Sequence, residues 1–240
     1  MTRILVFLIL LTLQLDIYAQ GSNQTSLSNY RTVGVNIHSN GWGLNYSKFF
    51  KAKYGSASVL SFDYMNQNYP GERKANDETL RGNPIVINKI NNLYFFKAAF
   101  GKAFDLSPRS NKSTLGISSI FNIGPMLAIY KPIYIQYSLS DSAVGNVEVV
   151  RYDPAIHKAN QIESKARFWD GAKKSSSHFG LHAKASIRFD WGSYESNFKA
   201  VEAGITWQYI GNAKPLIYSL PTKNMYTGFF IMLSFGRITD

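Results

Sequence analysis

The strongest constraint on the fold is a strict alternation of side-chain character between Phe179 and Trp191. The segment reads FGLHAKASIRFDW, with apolar residues at every odd position and small or polar residues at every even one. Because successive side chains of a β-strand point to opposite faces, this pattern predicts a strand with one apolar and one polar face. Its thirteen residues exceed the usual globular strand and suit a tilted crossing of a hydrocarbon layer about 30 Å thick. We interpret the segment as one strand of a transmembrane β-barrel.

The first nineteen residues are predicted to be a cleaved signal peptide. Arg3 supplies a positive charge, Ile4–Leu13 form a short apolar run, and Ala19 places a small residue before the expected cleavage. The run is shorter than the ~20 residues of a membrane-spanning helix, and no later run approaches that length. No cysteine lies at or after the cleavage point, so a lipid anchor is not expected there.

Composition narrows the class of protein further. The chain has no cysteine, which excludes a disulfide framework and thiol-based metal or redox chemistry. Aromatic residues make up 15% of the chain while the mean hydropathy is slightly polar at -0.16, and this pairing fits a barrel with alternating faces better than a helical membrane protein. After the signal peptide (1–19) we expect a short segment, 20–29, and then one barrel domain over 30–240, with no internal repeat.

Eight segments with similar alternation are predicted to form an all-β, antiparallel, up-and-down transmembrane barrel. They are Arg31–His38, Trp42–Phe50, Ser56–Tyr64, Leu93–Phe104, Leu115–Tyr130, Phe179–Trp191, Lys199–Ile210 and Tyr226–Gly236. The connections after the second, fourth and sixth segments are short, whereas those after the third and fifth are long and polar. The first connection is a tight hairpin and the seventh is intermediate. Outer-membrane barrels show this asymmetry, with long loops outside the cell and short turns in the periplasm.

Two local features refine this prediction. Gly124-Pro125 interrupts the fifth segment, and we expect a bulge or kink there because proline cannot donate to the strand ladder. Val147–Tyr152, within the long connection that follows, has the composition of a strand and predicts a small additional hairpin.

Alternation alone does not decide which face points outward. A secreted, lipocalin-like barrel also alternates, with its apolar face inside around a ligand, and it remains an alternative. The strand glycines mostly share the parity of the polar residues, which favours a narrow polar interior, since glycine is needed where eight strands close tightly. Aromatic rings at strand ends are also typical of membrane girdles. The aromatic residues assigned to a lipid-facing exterior are Trp42, Phe62, Phe96, Phe100, Phe189, Trp191, Trp207, Phe229 and Phe235.

With these features the chain resembles the small, eight-stranded outer-membrane β-barrel proteins of Gram-negative bacteria. The resemblance covers the chain after the signal peptide and includes the closing strand Gly228–Gly236, GFFIMLSFG. Such families commonly end on an aromatic that resembles an assembly signal, whereas here 237–240 follow Phe235. The resemblance implies an outer-membrane location with membrane lipid as a partner. It implies no particular activity, because such barrels include structural proteins, adhesins, lipid enzymes and secretion accessories.

The polar faces are expected to fill the barrel interior with a paired network. Charges in a narrow lumen are costly unless they are paired, and consecutive strands make the pairs Asp63–Lys97 and Arg188–Glu202 geometrically reasonable. Because eight strands leave no aqueous channel, we interpret this network as a structural core; a narrow conduit or proton path is the alternative. The charged residues assigned to it are Asp63, Lys97, His182, Lys184, Arg188 and Glu202.

The formal net charge of +11 is concentrated near the short turns, since the two long loops are almost balanced. This basic periplasmic rim is expected to contact phospholipid headgroups or, alternatively, to dock an acidic periplasmic or envelope protein. Nucleic acid is not an expected partner in this compartment, and we expect a monomer. The residues assigned to the rim are Lys48, Lys51, Lys53, Lys102, Arg109, Lys112, Lys199 and Arg237.

No sequence motif predicts catalysis, a metal or a cofactor. His38 and Ser39 are neighbours that would point to opposite faces of a strand, which is a poor arrangement for a nucleophile and its base. Asp153 and His157 stand four residues apart, but two ligands without a third make a poor metal site, so an ordered loop is expected. We therefore predict a non-enzymatic outer-membrane barrel whose loops and rim serve structural, adhesive or complex-assembly interactions. The alternatives are an outer-membrane lipid-modifying enzyme and a secreted ligand-binding barrel.

Overall fold

A computed structural model of the chain describes residues 29–51, 55–69, 72, 85–107, 115–139, 147–192 and 197–238. The predicted signal peptide and nearly all of segment 20–29 lie outside the described residues. Within the described ranges, no helix combines the length and apolar character needed to cross a lipid bilayer.

The described part of the chain is organised as strands with very little helix. The strands are β1 (Tyr30–His38), β2 (Gly41–Lys51), β3 (Ser56–Gln67), β4 (Asn91–Ser107), β5 (Gly116–Pro132), β6 (Tyr134–Ser138), β7 (Val147–Arg151), β8 (Ile162–Lys165), β9 (Ser176–Gly192), β10 (Asn197–Ile210) and β11 (Met225–Ile238). A 3-10 turn over Ala159–Gln161 precedes β8, and a five-residue helix, α1 (Phe168–Ala172), follows it.

Eight of these strands close into one antiparallel barrel in the order β1-β11-β10-β9-β5-β4-β3-β2. The eight-stranded, antiparallel, up-and-down barrel predicted from the sequence is therefore confirmed. We call the end that carries connections 39–40, 68–90, 133–175 and 211–224 the loop end. The opposite end, which carries 52–55, 108–115 and 193–196, is the turn end, and it also holds the start of β1 and the end of β11.

No register shift lies at Gly124-Pro125, so the predicted bulge is wrong, although neither residue has a partner in the β4–β5 ladder between Met126 opposite Lys97 and Ile123 opposite Phe100. β5 keeps a single register with β9 across both residues, with Gly124 opposite His182 and Pro125 opposite Leu181. The register shift of β5 lies instead against β4 between Asp105 and Ser107, near the turn end.

The absence of a side chain at Gly124 explains how the barrel accommodates the neighbouring proline. A Cβ at Gly124 would lie 2.1 Å from the carbonyl oxygen of Ala98 and 2.6 Å from the Cα of Ala99, both on β4. The backbones of β4 and β5 therefore approach each other too closely for any other residue. The β4–β5 ladder has no pairs at Gly124 and Pro125 and resumes in the same register on both sides, so the strands stay aligned across a residue that cannot donate a ladder hydrogen bond.

The barrel interior is layered, which corrects the expectation of a polar interior throughout. An apolar cluster fills the loop end, and a smaller one fills the turn end. The first consists of Met65, Leu93, Phe95, Met126, Ala128, Tyr130, Ile210, Leu216 and Tyr226. The second consists of Tyr30, Phe49, Val59, Ala103 and Ile120. Inward polar residues lie between these two layers, and we call this middle layer the polar belt; among its members are Asn45, Asp63, Lys97, Asn122, Lys184 and Glu202.

The long connection 133–175 forms a folded unit at the loop end, which we call the cap. Its strands make a second sheet in the order β7-β6-β8, so the additional strand predicted at Val147–Tyr152 is confirmed as β7, paired antiparallel with β6. The amide of Ile133 donates to the carbonyl of Ile90 at 3.0 Å, which ties the cap to the connection between β3 and β4. A separate apolar cluster supports it, made of Ile85, Ile133, Ile135, Tyr152 and Ile162.

Replacement of Gly124 by alanine is expected to lower the free energy of unfolding by about 1–3 kcal/mol, because the added methyl group overlaps the backbone of β4. Gly211→Ala is the matched control, since a Cβ at Gly211 meets no atom within 4 Å. The measurement is urea unfolding in detergent micelles, followed as loss of the compact band that migrates faster on a gel without boiling. Equal stability of the two variants would contradict the close approach of β4 and β5.

Candidate functional site

The outer wall of the barrel is covered by exposed apolar side chains on all eight strands. Eight of the nine aromatic residues assigned to the exterior are between 37% and 73% exposed, and Phe189 is half-buried on the same face. Aliphatic residues complete this apolar belt; among them are Val33, Val35, Ile37, Leu44, Ile123, Leu181, Ile187, Ile205, Ile231 and Leu233. This arrangement is the reverse of a lipocalin-like barrel, in which the apolar face lines the interior.

The six charged residues assigned to the interior all have inward strand positions. Lys97, His182, Lys184, Arg188 and Glu202 are buried, and Asp63 is half-buried. They lie on β3, β4, β9 and β10, in the polar belt. The strand register alone does not determine which of these six side chains contact one another.

Glu202 is paired with Lys184 and not with the residue opposite it in register. Glu202 and Arg188 are direct β10–β9 partners, but the Glu202 carboxylate lies 2.9 Å from Lys184 Nζ and accepts a hydrogen bond from Ser186 at 2.7 Å. The Arg188 Nε lies 2.6 Å from Asp190 Oδ1, two residues along the same strand. Asp190 was missed in the sequence analysis, although it shares the parity of the other inward residues of its strand.

Aromatic rings at the turn end explain the direction of the Arg188 side chain. Its guanidinium carbon lies 4.9 Å from the ring centre of Phe49 and 5.5 Å from that of Tyr30. These two rings stack on each other with centroids 4.3 Å apart. The arginine therefore extends from the polar belt onto the apolar layer of the turn end, where cation–π attraction adds to its ion pair with Asp190.

Asp63 and Lys97 are direct partners in the β3–β4 register, but these two described residues do not form the expected salt bridge. The Asp63 carboxylate accepts a hydrogen bond from the Asn45 amide at 2.8 Å. The Lys97 ammonium lies 3.3 Å from the Met65 sulfur. Their charges therefore interact across the belt without direct contact.

Three buried polar atoms around a small cavity in the belt have no hydrogen-bond partner among the described residues: Asp63 Oδ2, His38 Nδ1 and His182 Nδ1. The other ring nitrogen of His38 lies 2.9 Å from the Asn36 side-chain oxygen. Buried polar atoms of this kind are normally satisfied by ordered water. The His38 side chain thus belongs to the interior, whereas Ser39 is exposed, and the two do not form a nucleophile–base pair.

The basic residues of the rim divide into those on strands and those outside the described residues. Lys102, Lys199 and Arg237 are exposed and outward at the turn end, and Lys48 is half-buried on the same face. Lys51 is the last residue of β2. The remaining three, Lys53, Arg109 and Lys112, lie outside the described residues.

Arg31 is an outward cation that the sequence analysis missed. It is exposed and stands directly opposite Lys48 on β2 and Arg237 on β11. The available signal was its parity with Val33 and Val35 on the same strand. The turn end therefore carries a row of three cations on adjacent strands.

The cap contains ordered polar contacts around Asp153 and His157. Asp153 and His157 form the expected local turn, since the Asp153 amide donates to His157 Nδ1 at 3.0 Å and the His157 amide donates to the Asp153 carbonyl at 2.9 Å. Within the described ranges, no group of three or more His, Cys, Asp or Glu side chains is arranged to hold a metal ion.

Three lysines lie where the cap, the connection 68–90 and the end of β5 meet. Lys89 is buried and forms a 2.5 Å ion pair with Glu72. Lys131, near the end of β5, places its ammonium 3.2 Å from the ring centre of Phe168 in α1. Partial burial, and next the positive charge of Lys89, lowers the pKa of Lys165, while Glu72 acts in the opposite direction. The contact between Lys131 and Phe168 joins the barrel to the cap, while the ion pair of Lys89 and Glu72 lies within the connection 68–90.

Replacement of Lys184 by leucine is expected to lower the free energy of unfolding by about 3–5 kcal/mol, because it leaves the buried Glu202 carboxylate without its cation. The double variant Lys184→Leu, Glu202→Gln removes both charges and is expected to recover much of that loss. The measurement is a double-mutant cycle of urea unfolding in detergent micelles. A double variant whose destabilisation equals the sum of the two single variants would show that the pair does not interact.

No protein-family model matches the chain, and no curated protein matches it. Solved structures similar to it include Neisserial surface protein A, with a TM-score of 0.44 and 10% identity over 88% of this chain and 97% of that one. Another is the attachment invasion locus protein of Yersinia pestis, with a TM-score of 0.36 and 11% identity over 88% of this chain and 95% of that one. A third is a major outer membrane protein from Thermus thermophilus, with a TM-score of 0.44 and 8% identity over 88% of this chain and 99% of that one.

Proposed function

We propose that this chain is a non-enzymatic outer-membrane β-barrel. It presents the folded cap outside the cell and the basic rim to the periplasm, as surfaces for structural, adhesive or complex-assembly interactions. The observation that carries the proposal is the combination of a closed barrel with an apolar belt on its outer wall. Membrane lipid is the partner that such a wall requires.

Two physical requirements of a membrane-spanning β-structure are met. Closure of β1 on β11 leaves no strand edge in the barrel, so the backbone groups of the wall are paired without water. The barrel strands are 9 to 17 residues long, enough for the roughly 9–11 residues of a tilted crossing. An apolar surface of this extent would be unfavourable on a water-soluble barrel.

The orientation follows from the unequal connections at the two ends. Bacterial outer-membrane barrels have short turns in the periplasm and longer loops outside. The cap lies in the longest connection of the described chain and is therefore assigned to the cell exterior. The rim lies at the turn end and is assigned to the periplasm.

The cap has the features of a surface that contacts a partner. A three-stranded sheet with its own apolar cluster gives it a rigid base, and rigid scaffolds that carry exposed loops commonly bind through them. At its surface, Phe168 is 56% exposed and Trp169 is 74% exposed. Exposed aromatic residues of this kind are enriched in interfaces.

The alternative of a lipid-modifying enzyme receives less support from the positions of the histidines. A serine hydrolase acting on lipid needs a histidine at the outward rim beside its nucleophile. All four histidines of the chain are described, and none lies on the outward face of a barrel strand. His38, His178 and His182 have inward positions, and His157 lies in the cap.

Ala185→Arg is expected to lower the free energy of unfolding by about 2–4 kcal/mol, since the charge enters the hydrocarbon near the middle of β9. Ala185→Leu is the matched control, because it adds a side chain at the same outward position without charge. Both are measured by urea unfolding from phosphatidylcholine vesicles. An arginine variant as stable as the leucine variant would mean that this face does not contact lipid.

The absence of cysteine from the chain allows a direct test of orientation. Lys173→Cys in the cap and Ser107→Cys at the turn end both replace exposed residues. A membrane-impermeant maleimide is expected to label the Lys173→Cys variant in intact cells and the Ser107→Cys variant only after the outer membrane is permeabilised. The opposite labelling pattern would contradict the proposed orientation, and loss of both variants from the membrane fraction would contradict the membrane location.

A further inference from the structure

Three outward cations form one row at the turn end of the barrel. Arg31 on β1 is the direct register partner of Lys48 on β2 and of Arg237 on β11. We call these three residues the cationic triad. Neighbouring strands are about 4.8 Å apart, so three strands span roughly 10 Å. The triad is therefore a compact cluster and not a set of scattered surface charges.

The triad has no carboxylate to balance it among the described residues. Like charges directly opposite one another in a sheet are destabilising. The row continues with Leu60 on β3 and Asn197 on β10, which carry no charge. All four acidic residues of the described barrel strands have inward positions: Asp63, Asp105, Asp190 and Glu202.

The next outward row, toward the middle of the barrel, is apolar. It places Tyr46, Val33 and Phe235 above the three cations, and all three side chains are exposed. Each cation is therefore followed at once by apolar surface on the same strand. A ligand that fits both rows needs an anionic group attached to hydrocarbon.

We propose that the cationic triad binds the phosphate headgroup of an anionic phospholipid in the periplasmic leaflet, with the acyl chains against the apolar row. This inference rests on the proposed membrane location. The triad is on the outer wall and points sideways into the leaflet, which favours a lipid over an acidic protein approaching along the barrel axis. Charge complementarity and the adjacent apolar row select an anionic lipid over a zwitterionic one.

The test measures lipid preference in phosphatidylcholine vesicles that contain the folded protein and a trace of spin-labelled lipid. The fraction of immobilised label is compared for phosphatidylglycerol and phosphatidylcholine with identical chains, which gives the relative association of the two lipids. Arg31→Gln, Lys48→Gln, Arg237→Gln is expected to reduce the phosphatidylglycerol preference about fivefold or more. Arg167→Gln, Lys173→Gln, Lys174→Gln, which removes three exposed cations of the cap and α1 region, is expected to retain it.

Two further measurements make the result independent of the folding of one variant. The charge-preserving variant Arg31→Lys, Arg237→Lys is expected to keep the preference, and 0.5 M sodium chloride is expected to weaken it in the wild-type protein. A folded triple variant with unchanged preference would overturn the proposal. A second result would also overturn it: inorganic phosphate abolishes the lipid preference of the wild-type protein, but sodium chloride of equal ionic strength does not. That result would identify a site for free phosphate. Protein that is folded in vesicles but shows no preference contradicts only this inference, whereas protein that does not stay in the vesicles contradicts the proposed function.

Discussion

The pairing of β1 with β11 is the interaction on which the rest of the structure depends. It runs from Tyr30 opposite Ile238 to His38 opposite Phe230 and converts an open sheet into a closed barrel. Closure satisfies the backbone of the wall without water, and this is the condition for placing a sheet in hydrocarbon. It also restricts the interior to the width that eight strands allow, so side chains must fill it. The inward glycines follow from the same restriction, as the contact between Gly124 and β4 shows.

The narrow interior determines how the buried charges are stabilised. Desolvation makes each of them costly unless a partner is close. Lys184 and Glu202 meet that requirement across two strands, and Arg188 meets it along one strand with Asp190. Apolar layers lie on both sides of these pairs, which lowers the local dielectric and strengthens the attraction within each pair. The polar belt therefore depends on the apolar layers as much as on its own contacts.

The sequence predicted the barrel well because alternation is clear wherever one face is polar, as in β9. It failed to predict the apolar layer at the loop end, where the segment Leu93–Phe96 is apolar on both faces and the alternation disappears. The strand order predicted from the sequence placed Arg188 and Glu202 on consecutive strands, but long side chains reach beyond the opposite residue, and their ion-pair partners are Asp190 and Lys184. Of the cap, only β7 could be predicted, from its strand composition. The packing of the cap depends on contacts between distant segments of the chain, which the sequence pattern does not show.

The charged residues of the barrel strands are separated by sign between the interior and the outer wall. The four acidic residues face inward, where they share the interior with Lys97, Lys184 and Arg188, so the outer wall of the described strands carries cations alone. The outward cations lie at the turn end, except for Lys131, which is covered by Phe168 of the cap. A wall that is apolar along its length and cationic at one end has one favourable depth and one favourable direction in a bilayer with anionic headgroups. The inward carboxylates and the outward cations of the turn end are thus two parts of one distribution of charge, and this distribution supports the proposed placement of the barrel in a membrane.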